Sequence, residues 1–540
     1  MAFAVALATA VLAVGCADQQ PHGGASQASV PTRAAESGSA DSGVAPTAAG
    51  VVRGQIAVDH RLFQGIPYAA PPVGELRWQP PRPTPRWPGM RDASKPGPRC
   101  IQDTSVDPGY GRKSSEDCLT LNVWTPTGAA AAGQRPVLVW IHGGAFANGS
   151  GDLYDSRWLV TRGDIVVVSI NYRLGTLGFL AHPALGPPSE VGNYGLADQQ
   201  AALRWVRDNI AGFGGDPTKV TIAGESAGAM SVCDHLVAPG SAGLFRAAII
   251  QSGPCQAQAS LATAQRSSVE YAASVGCGDL QTAARCLRAL PATQLAVPPA
   301  YFHIGADALI GPVTGTKLLP DDPVAAFGTG GAVEVPVLIG SNRDEFTLFM
   351  AMEYLRSGQL PTAAEYPVLL ADTFDADSRP VLTQYPLDRY GGSVPLAYAA
   401  AVTDGEFACV ADQMADTLSR AAPVYAYEFN DRAAPAPEPL RNVPFPVGAS
   451  HSLELRYLFD VGGAPPLDPA QQRLSWQMLD SWIQFVVTGV PSATGLPDWP
   501  ALRGGIDDGP WMSLQADGSR VITTFAKEHQ CAFWASVKRP

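Results

Sequence analysis

Ser226 stands in the stretch Val220-Thr-Ile-Ala-Gly-Glu-Ser-Ala-Gly228, with a glycine two residues away on either side. A serine hydroxyl is a poor nucleophile unless a base takes its proton, and it must stand clear of the backbone to reach a substrate. The spacing Gly224-x-Ser226-x-Gly228 answers the second need. An apolar β-rich run leads into it, and Ala229, Met230, Ser231 and Val232 continue as a helix. The turn between them is so sharp that only glycine fits at the two flanking places, and the serine is left strained and exposed. The chemistry predicted is nucleophilic attack through a covalent intermediate.

Such a serine needs a base, the base needs an orienting acid, and in this arrangement acid and then histidine follow the serine in the chain. Upstream, Pro136-Val-Leu-Val-Trp-Ile-His-Gly-Gly144 is an apolar strand ending in two glycines. Backbone N–H groups of Gly143 and Gly144 can there point at a developing oxyanion; His142 itself reads as structural. Downstream, Val335-Pro-Val-Leu-Ile-Gly-Ser-Asn-Arg-Asp-Glu345 is a short strand with an acidic end, where Asp344 competes with Glu345. Gly448-Ala-Ser-His451 follows a Pro-rich loop and precedes the apolar run Leu453 to Phe459. Of the eight histidines, His22 sits in a low-complexity tail, and His60, His182, His235, His303 and His529 lie in the wrong order or outside a strand-end loop. His451 remains as the candidate base.

The elements that position these residues can be read from short apolar runs. Leu119 to Thr125, Val137 to Ile141, Ile165 to Ile170, Val220 to Ala223 and Ala247 to Gln251 suit strands buried on both faces. Val51 to Tyr68 reads as hairpin material. Ala197 to Ile210 has helical spacing, and strand alternating with helix predicts a mostly parallel sheet covered on both faces. Val335 to Gly340 and Val424 to Phe429 resume that sheet after helical insertions. Leu474, Met478, Trp482 and Phe485 form a helical stripe that reads as core. No repeat, metal-spaced His/Cys cluster or Gly-rich phosphate loop stands out, so neither metal nor cofactor is expected.

Longer motifs extend the pattern. They are Phe63-Gln-Gly-Ile-Pro-Tyr-Ala-Ala-Pro-Pro-Val-Gly-Glu-Leu-Arg-Trp78, Glu116-Asp-Cys-Leu-Thr-Leu-Asn-Val123, His142-Gly-Gly-Ala-Phe146 and Asn171-Tyr-Arg-Leu-Gly175. Gly192-Asn-Tyr-Gly-Leu-Ala-Asp-Gln199, Phe213-Gly-Gly-Asp-Pro217 and Gly224-Glu-Ser-Ala-Gly228 follow in the same order. With these the chain resembles the type-B carboxylesterases, the family of para-nitrobenzyl esterases, animal carboxylesterases and cholinesterases, over roughly residues 50–540. The resemblance implies an α/β-hydrolase fold and hydrolysis of small carboxylic esters. It implies nucleophile Ser226, acid Glu345, base His451, and an oxyanion hole from the N–H groups of Gly143, Gly144 and Ala227. It further implies ion pairs Arg77–Glu116 and Arg173–Asp198, and disulfides Cys100–Cys118, Cys277–Cys286 and Cys409–Cys531. Cys233 and Cys255 are left as free thiols or a fourth bridge. A noncatalytic cholinesterase-like binding protein would share the fold, but such relatives often lose the serine or the histidine, and both stand here. A hydrolase of an amide, a carbamate or a particular natural-product ester is the alternative within enzymes.

Cholinesterases of this family hold a quaternary ammonium on a tryptophan inside the first disulfide loop. The segment Cys100 to Cys118 has none, although Tyr110 stands there, and Arg112 and Lys113 would repel a cation. Neutral esters with short or medium acyl chains are therefore expected. The net charge of −12 argues against nucleic acid as a partner. The first 15 residues are uncharged and mostly Ala, Val and Leu, too short for a membrane span, and end in Ala13-Val-Gly-Cys16. This resembles a bacterial lipoprotein box, lipidated at Cys16, though without the usual basic start. Residues 17–49, rich in Ala, Gly, Ser, Pro and Gln, read as a flexible tether, and 50–540 as one catalytic domain. The expectation is an exported, envelope-anchored protein whose oligomeric state the sequence does not specify.

Overall fold

The computed structural model describes residues 43–102, 114–128, 134–504 and 509–537. Cys16 and residues 17–42, and likewise Tyr110, Arg112 and Lys113, lie outside them. Seven strands run parallel side by side: Val166–Ile170, Arg135–Ile141, Gly215–Glu225, Ala247–Gln251, Val337–Asn342, Val424–Phe429 and Trp511–Leu514. Antiparallel strands close both ends, Thr120–Pro126, His60–Pro67 and Gln55–Ile56 on one side and Arg520–Ile522 on the other.

The central strands explain why helices must cover both faces. Along Arg135–Ile141, Val137, Val139 and Ile141 belong to one buried cluster, and Leu138 and Trp140 to the other. Successive side chains on a strand point to opposite faces, so an unbroken apolar run needs cover on each. The helix Tyr194–Asn209 supplies Leu203 and Val206 to the first cluster. The helix Pro469–Thr488 supplies Leu474, Met478, Trp482 and Phe485 to the second. That helix is set by a capping box: the Asp468 carboxylate accepts from the N–H of Gln471, whose side chain accepts from the N–H of Asp468. After residue 363 the chain folds as helices Tyr366–Phe374, Ser378–Gln384 and Val394–Val402. Their Tyr366, Leu370, Tyr385 and Tyr398 are buried in the second cluster.

The folded domain starts earlier than the composition indicates. Val44–Thr47 forms a strand antiparallel to Gly50–Arg53, so residues 44–49 are not tether. Ala45 is fully buried and the Thr47 hydroxyl closes the turn onto the Gly50 carbonyl. Small residues can pack as an edge hairpin without any apolar pattern to announce it.

Among the described residues four disulfides join Cys100–Cys118, Cys233–Cys255, Cys277–Cys286 and Cys409–Cys531. Cys233 and Cys255, which the sequence left open, form the fourth bridge, tying the helix after Ser226 to the loop beyond strand Ala247–Gln251. Four bridges mark a chain that matures in an oxidising, exported compartment. Arg173 pairs with Asp198 at 2.7 Å with both side chains buried, and Arg77 grips Glu116 through two bonds of 2.7 Å. Among the described residues no helix is long and apolar enough to cross a membrane.

Candidate active site

Ser226 sits between the strand Gly215–Glu225 and the helix Ala227–Val237 with φ 57° and ψ −124°. A serine seldom adopts positive φ, and here the surroundings impose it. A Cβ on Gly224 would lie 2.4 Å from the Gly228 carbonyl carbon, and one on Gly228 2.1 Å from the Ile141 oxygen. The Ser226 N–H is held by the Gln251 carbonyl at 2.9 Å. Ala227 opens the helix, so its N–H has no acceptor within that helix.

The loop after strand Arg135–Ile141 lies against this turn. A Cβ on Gly143 would stand 2.7 Å from the Glu225 carbonyl oxygen and 3.1 Å from the Ser226 Cβ. Gly144, Ala145 and Phe146 all have positive φ, which folds their backbone around the serine. His142 is buried, stacked on Tyr172 with centroids 4.5 Å apart. Burial depresses its pKa to about 4, so it is a neutral structural residue.

Glu345 and Asp344, indistinguishable by position in the sequence, have different work. Glu345 is fully buried; its Oε1 accepts from the Asn342 N–H at 2.6 Å and the Ser341 hydroxyl at 3.0 Å. Its Oε2 meets the His451 Nδ1 at 2.6 Å. Asp344 instead takes a bidentate grip from Arg432 and accepts the Ala449 N–H at 2.9 Å. It anchors the loop that carries His451, while Glu345 holds the imidazole.

Among the described residues the other nitrogen of His451, Nε2, has no hydrogen-bond partner. It lies 3.1 Å from Oε1 of Glu225, but without the alignment a hydrogen bond needs. Phe349 and Phe407 pack on the ring at 5.3 and 5.5 Å between centroids. The same two phenylalanines line the cavity onto which Ser226 opens. Burial works against a charged His451, yet Glu225 and Glu345, with the Glu345 hydrogen bond, raise its pKa to about 9. The rise is opposite to what an isolated histidine near 6.5 would show.

Two carboxylates around the histidine carry no sequence signal of this role. Glu225 accepts the Ser452 hydroxyl at 2.6 Å, and burial raises its pKa. Glu454 accepts from Asn342 at 2.6 Å and Gln251 at 3.3 Å, and burial with the Glu225 charge lifts it to about 8. Only its place three residues after His451, in the short helix Leu453–Tyr457, could have pointed to it.

Residues 41–534 match the model of the carboxylesterase family. A fumonisin B1 esterase of Sphingopyxis macrogoltabida is 35% identical over 479 residues, 84% of this chain and 83% of that protein. An acylcarnitine hydrolase of Rattus norvegicus is 34% identical over 527 residues, 91% of each chain. Among solved structures, a thermophilic PNB esterase superimposes with a TM-score of 0.77 at 30% identity, covering 90% of this chain and 99% of its own. The chain belongs to the carboxylesterase family and is a carboxylic ester hydrolase with the α/β-hydrolase fold.

Proposed function

We propose that this hydrolase works through Ser226, His451 and Glu345 and an acyl-enzyme intermediate. The observation that carries the reading is His451: Nδ1 is bound to a buried carboxylate, while Nε2 is left without a partner beside the turn that bears Ser226. Nε2 takes the hydroxyl proton as Ser226 attacks the ester carbonyl carbon. Glu345 keeps the imidazole oriented and stabilises its cation. The N–H groups of Gly143, Gly144 and Ala227 bind the oxyanion, each worth roughly 3–4 kcal/mol in comparable sites. His451 then protonates the departing alkoxide, and water repeats the cycle to release the acid. The chemistry calls on no cofactor.

The apolar wall of Phe302, Ile304, Leu309, Phe349 and Phe407 beside Ser226 supports an ester with a hydrocarbon arm. The relatives named for fumonisin B1 and acylcarnitine support a small-molecule ester as substrate. The expectation of a neutral ester rests on the loop between Cys100 and Cys118. The lipid anchor at Cys16 remains part of this reading, and mass spectrometry of the mature N-terminus tests it; an unmodified terminus elsewhere removes it.

Ser226→Ala should lower kcat for a butyrate aryl ester by about 10⁴-fold or more while leaving Tm close to that of the native protein. A folded variant that keeps most of its kcat would refute the nucleophile.

A further inference from the structure

The strands Phe302–Ile304 and Asp307–Leu309 form an antiparallel hairpin in which Phe302 opposes Leu309 and Ile304 opposes Asp307. Side chains two apart on a strand share a face, so these four residues make one surface. All four line the cavity that holds Ser226. Three are apolar, as a wall receiving a hydrocarbon chain should be; the fourth is a carboxylate. Its position is not loose. A Cβ on Gly305, at the turn of the hairpin, would lie 2.3 Å from the Phe346 ring, and Phe346 follows Glu345 in the chain.

Asp307 is partly buried, and among the described residues it accepts no hydrogen bond and closes no ion pair. Arg356, on the helix Thr347–Ser357, attracts it from a distance but pairs with Glu353. Tyr398, neutral because burial raises its pKa, and Glu406 are the other titratable groups at this corner. Burial raises the Asp307 carboxyl to about 6, with Arg356 pulling the other way, so it is ionised at neutral pH. An anion in an apolar wall with no counter-charge in contact leaves a place for a cation carried by the ligand.

We propose that Asp307 is a specificity residue that selects esters carrying a protonated amine on the arm that lies along the hairpin. The inference rests on the reading of Ser226 as nucleophile, since that fixes where the ester sits. An ammonium N–H can donate a charge-assisted hydrogen bond to the carboxylate. A quaternary ammonium has no such proton and is held best by an aromatic face, so choline esters gain less. The proposal departs from the neutral-ester expectation, which rests on the Cys100–Cys118 loop; Asp307 lies outside that loop.

Two matched pairs test it on both arms: 2-(dimethylamino)ethyl butyrate against 3-methylbutyl butyrate, and methyl 6-aminohexanoate against methyl heptanoate. The readout is the ratio of kcat/KM within each pair, which cancels differences in folded fraction. At pH 7.5 the amine should be preferred on one arm by about tenfold or more, and the preference should fade below pH 6. Asp307→Asn should cut that ratio at least tenfold, and Asp307→Glu should keep most of it, the tenfold step corresponding to about 1.4 kcal/mol. Ratios near one on both arms, or a preference unmoved by Asp307→Asn, overturn the proposal. Ser226→Ala should lose all four substrates. Hydrolysis surviving in that variant would bring down the nucleophile reading instead, so the two failures are distinct.

Discussion

Among the described residues two buried histidines, His451 and His529, are each caught between two carboxylates, and only His451 has a nitrogen to spare. His529, near the C-terminus, meets Asp404 through Nδ1 at 2.5 Å and Glu428 through Nε2 at 2.9 Å, both as hydrogen bonds. Arg343 adds a second cation, 3.0 Å from Glu428 and 2.7 Å from Glu528. His451 has the same kind of bond at Nδ1, but its Nε2 is unpartnered although Glu225 is 3.1 Å away. Both have pKa values raised to about 9, against burial, by their carboxylates. The shifted pKa therefore does not separate a working histidine from a structural one; the unfilled hydrogen-bond position does. His529 locks the C-terminal segment onto residues 403–408, whereas His451 keeps Nε2 out of any such lock, a nitrogen that becomes a proton acceptor once the ring loses its own proton.

The largest test of that contrast is at the acids. Glu345→Gln should lower kcat by about 10³–10⁴-fold, because the amide presents the wrong partner to Nδ1. Asp344→Asn should instead lower Tm and leave most of kcat, since Asp344 anchors the loop through Arg432 and Ala449. The opposite ranking would move the acid role to Asp344.

Next comes the seam that His529 shares with Cys409–Cys531. That bridge closes a loop with a sequence separation of 122. Replacing both cysteines by serine should cost up to about 5 kcal/mol of stability on chain-entropy grounds. Urea unfolding measures it, and an unchanged midpoint would show that the seam holds without the bridge.

A smaller effect separates the two histidines by pH. The rising limb of kcat/KM should lie above the usual 6.5, because His451 must lose its proton to act and its pKa is raised. Glu225→Gln removes one of the anions holding that proton, so the limb should move to lower pH; a limb that stays in place would exclude Glu225 from the charge balance.

The mildest expectation concerns stability. A histidine whose pKa is raised by folding stabilises fully below the unfolded value near 6.5 and ceases to as pH rises through about 9. Glu428, lowered against burial by His529 and Arg343, contributes above its ordinary 4.5 and loses that contribution in acid. Tm should thus fall between pH 6.5 and 9, and His529→Asn should flatten that fall while keeping most of kcat. An equal slope in the variant would take His529 out of the account.

Much of this was legible in the chain. The unbroken apolar run of Val137 to Ile141 announces a strand covered on both faces, and the glycines around Ser226 announce a turn that tolerates nothing larger. What stayed hidden depends on approaches between distant segments. Residues 225 and 345 lie at or just past the ends of two strands and residue 454 in a short helix, and they meet around His451 only in the folded chain. The hairpin at Val44 has too little apolar pattern to stand out from the tether. Asp307 hid for another reason: a single acid in the alternation Phe302, Ile304, Leu309 reads as a solvent position until the opposite strand turns it inward.

The central claim is that Ser226 carries the acyl group under the action of His451. Acid quenching of the enzyme within its first turnovers of a butyrate aryl ester, followed by peptide mass mapping, tests it directly. The account predicts a butyryl group on Ser226 in the native protein, more abundant when deacylation is slowed at low pH, and none in His451→Ala. A butyryl group on any other residue, or turnover at the native rate with Ser226 never acylated, would contradict it.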